Sequence, residues 1–138
     1  MTSESYIKVS EVMARTVRII DPLATIREAL REMSEFRISS LVIERRDPAD
    51  ELGIIMIGDI AAHVIASNLS PDRVNVYEVM SKPVITLDQD MHIKYAIRLL
   101  HRFSLSRGLV TDHERQLVGL ATLRDMVLRY AQEDAGPK

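Results

Sequence analysis

Residues 67 positions apart match along much of this chain, and that duplication restricts the fold more than any single motif does. Val12-Met13 reappears as Val79-Met80, Val17 as Val84, Asp21 as Asp88, Ile26 as Ile93, Ala29 as Ala96 and Ser39 as Ser106. Further along, the separation drops to 66: Gly53 answers to Gly119, and Asp59 to Asp125. One residue has left the second copy, most simply in the loop ahead of its glycine. A unit of roughly 60 residues is marginal as an independent fold. The two copies, at residues 9–68 and 76–131 of a 138-residue chain, should therefore pack on one another. Residues 1–8 and 133–138 read as flexible tails.

Each copy follows the same grammar. In the first, Val17 to Ile20 is strand-like and ends at Asp21-Pro22. Thr25-Ile26-Arg27-Glu28 is a capping box, and Ile26, Ala29, Leu30 and Met33 form one helical face. Ile38–Ile43 and Leu52–Met56 read as strands around a charged, solvated loop over 44–50, and a helix follows to about Asn68. In the second, Pro83 to Leu87 is the first strand, Asp90 the expected helix cap, and Ile93, Ala96, Ile97 and Leu100 the apolar face. Strands over 108–111 and 116–121 precede a helix from Leu123 to about Gln132. The expected fold is α/β (α+β): tandem β-α-β-β-α repeats with two small sheets packed about a pseudo-twofold axis. Clefts at such a junction are natural ligand sites.

Composition removes several function classes. The apolar share of 46% supports a core, yet no run of 18 apolar residues exists, so no membrane span is expected. The first residues lack a basic stretch followed by an apolar one, so no signal peptide is read. The absence of cysteine rules out disulfides and thiolate chemistry, and it suits a cytoplasmic protein. A net charge of −2 offers no basic footprint for nucleic acid. His63, His92, His101 and His113 are scattered, so no metal site is expected. No paired carboxylates, nucleophile elbow or phosphate-loop lysine marks an enzyme, and no catalytic residue is assigned.

The densest motif is Gly119-Leu120-Ala121-Thr122-Leu123-Arg124-Asp125, a strand, a tight turn and a helix start. Thr122 can cap the helix, and Asp125 falls in its first turn, where negative charge is favoured. A capping role alone would explain both residues. With its first copy at Gly53 to Asp59, with Ile38-Ser39-Ser40-Leu41-Val42 and with the paired Val-Met steps, the chain resembles a CBS domain pair (a Bateman module) over about residues 9 to 131.

The resemblance implies a non-catalytic regulatory module that binds an adenosine-containing ligand: AMP, ADP or ATP, or alternatively S-adenosylmethionine or NAD. No cofactor is required. It further implies that Thr122 and Asp125 hold ribose. An ionised carboxylate offers only acceptors, and two ribose hydroxyls about 2.8 Å apart can both donate to it. By the same resemblance, Thr16, Val17, Arg18, Ile38 and Ser39 wall the Asp125 cleft, with Arg124 as the first phosphate candidate. The Asp59 cleft would be walled by Pro83, Val84, Ile85, Leu105, Ser106 and Arg107. Met56 stands where Thr122 stands in the other copy, so the Asp125 cleft is the better expected nucleotide site. A homodimer is expected, with a regulated enzyme or transporter as a possible further partner. The competing reading is a ligand-free scaffold whose helices serve only dimerisation.

Overall fold

The computed structural model describes residues 6–135. The chain forms two three-stranded sheets of the same design. In the first, β1 (Ile19–Ile20) lies parallel to β2 (Ser40–Ile43), which pairs antiparallel with β3 (Gly53–Met56). In the second, β4 (Thr86–Asp88) lies parallel to β5 (Arg107–Thr111), which pairs antiparallel with β6 (Leu117–Thr122). The parallel pairs are bridged by helices, as a parallel connection requires. These are α1 (Ile26–Phe36) and α3 (Ile93–Arg102). α2 (Ile57–Ile60) continues as a π-helical turn over Ala61–Ile65, and α4 (Leu123–Ala135) is regular throughout.

The local signals explain these elements. Thr25 Oγ1 accepts from the Glu28 N–H at 3.2 Å while Glu28 Oε2 accepts from the Thr25 N–H at 3.0 Å, the reciprocal box expected from sequence. α1 stops at Arg37, whose φ of 54° is left-handed. Ile26, Ala29 and Met33 are buried, as are Ile93, Ala96 and Leu100 at the matching positions of α3. Leu30 and Ile97, expected on the same faces, are only half-buried.

The compact units do not coincide with the sequence repeats. One unit is Val17–Val84; the other joins the chain up to Thr16 with Ile85 onward. The segment leading into each repeat therefore belongs to the other repeat's core. In the second unit, Ile7, Val9 and Met13 are buried with Leu87, Ile93, Ala96, Leu100, Val110, Ala121 and Met126. In the first, Val74, Val76 and Val79 are buried with Ile20, Ile26, Ala29, Met33 and Ile55. The backbone bonds repeat too: Ile93 N donates to Ile7 O, and Ile26 N to Val74 O, each at 2.8 Å. The end of the expected loose tail is instead docked: Tyr6 donates to the Asp90 carbonyl at 2.6 Å, and Ile7 is 4% exposed. α4 likewise carries on to Ala135, past the helix end expected near Gln132. Residues 1–5 and 136–138 of the expected tails lie outside the described residues.

Two further expectations are corrected. Asp90 does not cap α3; His92 occupies that position, and the Asp90 carboxylate faces Lys8 and His113 instead. The charged loop over 44–50 is not simply solvated. Asp50, its side chain 7% exposed, accepts from Lys82 Nζ at 2.7 Å and from the Arg46 and Glu51 N–H groups. The Lys82 hydrogen bond, reinforced by the Arg46 N–H, holds the Asp50 carboxyl well below the usual carboxylate range. A group whose pKa is lowered by folding adds stability above its unfolded value of about 3.9, and loses it as pH falls through the folded value. Asp50→Asn should therefore lower the melting temperature at pH 7, and in thermal unfolding followed by circular dichroism the gap from wild type should narrow progressively as pH falls below about 3.9.

Candidate functional site at the start of α4

The antiparallel register of β5 and β6 sets Arg107 directly across from Thr122. Thr122 is the last residue of β6, and α4 starts at the next position. The turn is pinned at both ends: Leu123 N donates to the Ser106 carbonyl at 2.7 Å, and Asp125 N donates to Thr122 Oγ1 at 3.1 Å. Ser106, Arg107, Thr122, Leu123, Arg124, Asp125, Val127 and Leu128 then line an open hollow of about 600 Å³.

The hollow mixes charge of both signs with an apolar wall. The Arg107 guanidinium is half-buried, and burial holds its pKa below arginine's ordinary value. Arg124 is far more exposed, with Nη1 3.9 Å from Asp125 Oδ1, too long to tie up that carboxylate. The Asp125 side chain keeps 54% of its surface open. The N-terminus of a 13-residue helix adds partial positive charge at the same place. The site can accept hydrogen bonds from a diol through one carboxylate and meet an anion with two guanidinium groups.

The remaining expected site residues are placed as follows. Ser106 and Arg107, grouped by resemblance with Asp59, border the hollow of Thr122 and Asp125. Leu105 is half-buried and packs on the core of the same unit. Thr16 is exposed and Val17 half-buried. Arg18 is engaged locally, with Nη2 3.2 Å from Glu32 Oε1, its guanidinium 3.6 Å over the Phe36 ring, and its carbonyl accepting from Val42 N. Ile38 is half-buried, and the Ser39 carbonyl accepts from Ile57 N at 2.9 Å, the counterpart of the Ser106–Leu123 bond. Pro83 is exposed, whereas Val84 and Ile85 are half-buried.

The first copy builds a poorer version of the same corner. Its matching register pair is Ser40 and Met56 in place of Arg107 and Thr122. Met56 precedes α2 without any side-chain cap, and Gly58 takes the place of Arg124. Asp59 is half-buried at the start of a four-residue helix. Sequence reading had identified Met56. It missed that both arginines are also lost, a difference visible once residues 40 and 107 are known to face 56 and 122.

The motif glycine makes room for the segment leading into the first repeat. A Cβ on Gly119 would stand 2.6 Å from both the Ala14 carbonyl oxygen and Met13 Sδ. That proximity lets Ala14 and Leu120 exchange backbone hydrogen bonds. Gly53 is placed alike beside Ser81, which bridges Ile54.

A three-stranded sheet with its helices, built twice, and a strand–helix corner carrying Thr122 and Asp125 define a duplicated α/β module. A family profile for the CBS domain matches residues 9–66 and 76–131, and the chain belongs to the CBS-domain family as a tandem pair. The uncharacterized protein MK0525 of Methanopyrus kandleri is 32% identical over 123 residues, covering 88% of this chain and 61% of that relative. The hexameric CBS-CP12 protein from bloom-forming cyanobacteria superposes with a TM-score of 0.89 at 26% identity, over 96% of this chain and 73% of that one. The CBS domain pair of MJ0100, solved in complex with 5′-methylthioadenosine and S-adenosyl-L-methionine, has a TM-score of 0.78 at 24% identity, over 93% and 98% of the two chains. The chain spans less than two thirds of the length of the curated relatives it matches. Among the described residues no helix is long and apolar enough to cross a membrane.

Proposed function

We propose that this chain is a non-catalytic sensor that binds an adenine nucleotide at the Thr122–Asp125 corner and passes the binding event to a partner protein. The observation that carries the reading is the convergence of Asp125, Arg107 and Arg124 on one hollow at a helix N-terminus. Asp125 suits the vicinal hydroxyls of ribose, and loss of the 2′-hydroxyl would leave one carboxylate oxygen without its donor. The arginines suit a phosphate group better than the positively charged sulfonium of S-adenosylmethionine. The adenosyl ligands of the MJ0100 pair support the broader class, an adenosine-containing molecule.

The chain also presents a face suited to a second copy. Tyr95, Val127 and Leu128 are 54%, 44% and 45% exposed on α3 and α4. A smaller hollow of about 320 Å³, lined by Lys94, Ile97, Arg98, Val127 and Tyr130, belongs to the same pair of helices. A homodimer through these helices places the ligand corner next to the interface, since Val127 lines both hollows. Such a dimer offers a direct route from ligand to assembly.

A thermal-shift series with AMP, ADP, ATP, NADH and S-adenosylmethionine tests the ligand class. At a hundredfold excess over its dissociation constant a ligand stabilises by about 2.7 kcal/mol, which is roughly a 10 °C rise for a domain near this size. Asp125→Ala should abolish the shift, and Asp59→Ala should reduce it much less. Equal losses in the two variants would overturn the ranking of the two corners. No shift with any of the five would favour the scaffold reading.

A further inference from the structure

A second cluster in the unit that carries β4, β5 and β6 has no part in the nucleotide corner. The parallel register of β4 and β5 sets Asp88 beside Thr111, and Gln89 N donates to the Thr111 carbonyl at 2.9 Å. Two residues after each of those strand ends stand Asp90 and His113. The hairpin loop that carries His113 is tightly turned. Asp112 Oδ1 accepts from the Glu114 and Gln116 N–H groups at 2.8 and 2.9 Å, and Arg115 takes a left-handed φ of 62°. The result is an imidazole set between two carboxylates: Nε2 lies 2.7 Å from Asp90 Oδ2, and Nδ1 lies 3.6 Å from Asp88 Oδ2.

We propose that Asp88, Asp90 and His113 form a binding site for a divalent transition-metal ion of the zinc type. One donor atom from each residue lies within 4.8 Å of the other two. Since Asp90 faces Nε2 and Asp88 faces Nδ1, one carboxylate must swing toward the other's nitrogen for all three donors to reach an ion at about 2.0–2.2 Å. The donor set selects the class of ion. An imidazole nitrogen suits zinc, nickel and cobalt, whereas magnesium and calcium take oxygen ligands. Asp88 Oδ1 is held by the Asp90 N–H at 2.8 Å, and Asp90 Oδ1 faces Lys8 Nζ at 3.3 Å. Each carboxylate thus keeps its Oδ2 turned toward the imidazole, and its outer oxygen serves to orient it. The side chains are 40–70% exposed, so an ion can enter and water can complete its coordination. Metal bound here joins the β5–β6 hairpin to the end of β4. Through Lys8 and Asp90 it also braces the docked segment that holds Tyr6 and Ile7. The sequence hides the cluster, because Asp90 lies 23 residues before His113 and no motif links them.

The test is a titration of the full chain with zinc sulfate at pH 7.5, followed by calorimetry and by thermal unfolding. One equivalent should bind saturably and raise the melting temperature. His113→Ala, on an exposed loop, should weaken binding at least tenfold, Asp90→Asn should do likewise, and His63→Ala should leave it unchanged. An absent isotherm, an unaltered one in His113→Ala, or an equal response to magnesium chloride would each overturn the proposal. None of these outcomes depends on nucleotide binding.

Discussion

Deleting residues 1–13 is expected to unfold the unit that contains β4, β5, β6, α3 and α4, although every residue of those elements remains present. Ile7, Val9 and Met13 are 4%, 0% and 8% exposed in that unit's core. Burying each such side chain contributes about 1.5–3 kcal/mol. Together the three, at about 4.5–9 kcal/mol, reach into the 5–15 kcal/mol by which a whole domain is stable. The deletion also strips the backbone bonds of Val9, Ser10 and Ile7 to Met91, Gln89 and Ile93. Hydrogen exchange should show protection lost from β4 through α4. Residues 17–84 should keep theirs, because Val74, Val76 and Val79 supply the matching side chains to that core from within the same unit. Unchanged protection over residues 86–133 would show that the leading segment is dispensable.

Gly119→Ala is expected to cost about 1–3 kcal/mol, the usual range for overpacking, or a fall of roughly 4–12 °C in melting temperature. The added Cβ would meet a backbone oxygen at 2.6 Å, and backbone held in a β-bridge cannot rotate away as a side-chain tip can. Gly53→Ala should be milder, since its nearest neighbours are at 3.1 Å. Gly58→Ala meets nothing within 4 Å and lies in α2, where alanine is the better helix former. Its effect should be neutral or slightly stabilising. The order 119, 53, 58 in a thermal-unfolding series is the signature of a glycine that admits the leading segment. A ligand-contacting glycine would instead lose binding at little cost in stability.

Much of this was readable from periodicity. The 67-residue offset predicted two equivalent sheets, and the helical faces through Ile26 and Ile93 fell where they were expected. Thr25-x-x-Glu28 and Thr122-x-x-Asp125 both cap as read. What stayed hidden was long-range. Ile7 and Val9 sit in a polar-looking N-terminal stretch, and nothing local says that they fill the core of the later repeat. Asp90 has the composition of a cap, but Lys8 and His113 compete for its carboxylate from distant parts of the chain. Asp50 reads as one more charge in a charged loop until Lys82, 32 residues later, is seen beside it. The arginines of the candidate site were both named from sequence. Their meeting around Thr122 required the β5–β6 register, which no spacing rule supplies.

Calorimetric titration of ATP into the full chain, run side by side with Asp125→Ala, tests the nucleotide-sensor account most directly. A carboxylate that accepts two charge-assisted hydrogen bonds contributes about 3 kcal/mol or more. Wild type should therefore bind saturably, and the variant should bind about a hundredfold or more weakly. Indistinguishable isotherms, or no heat from the wild-type protein, would contradict the account.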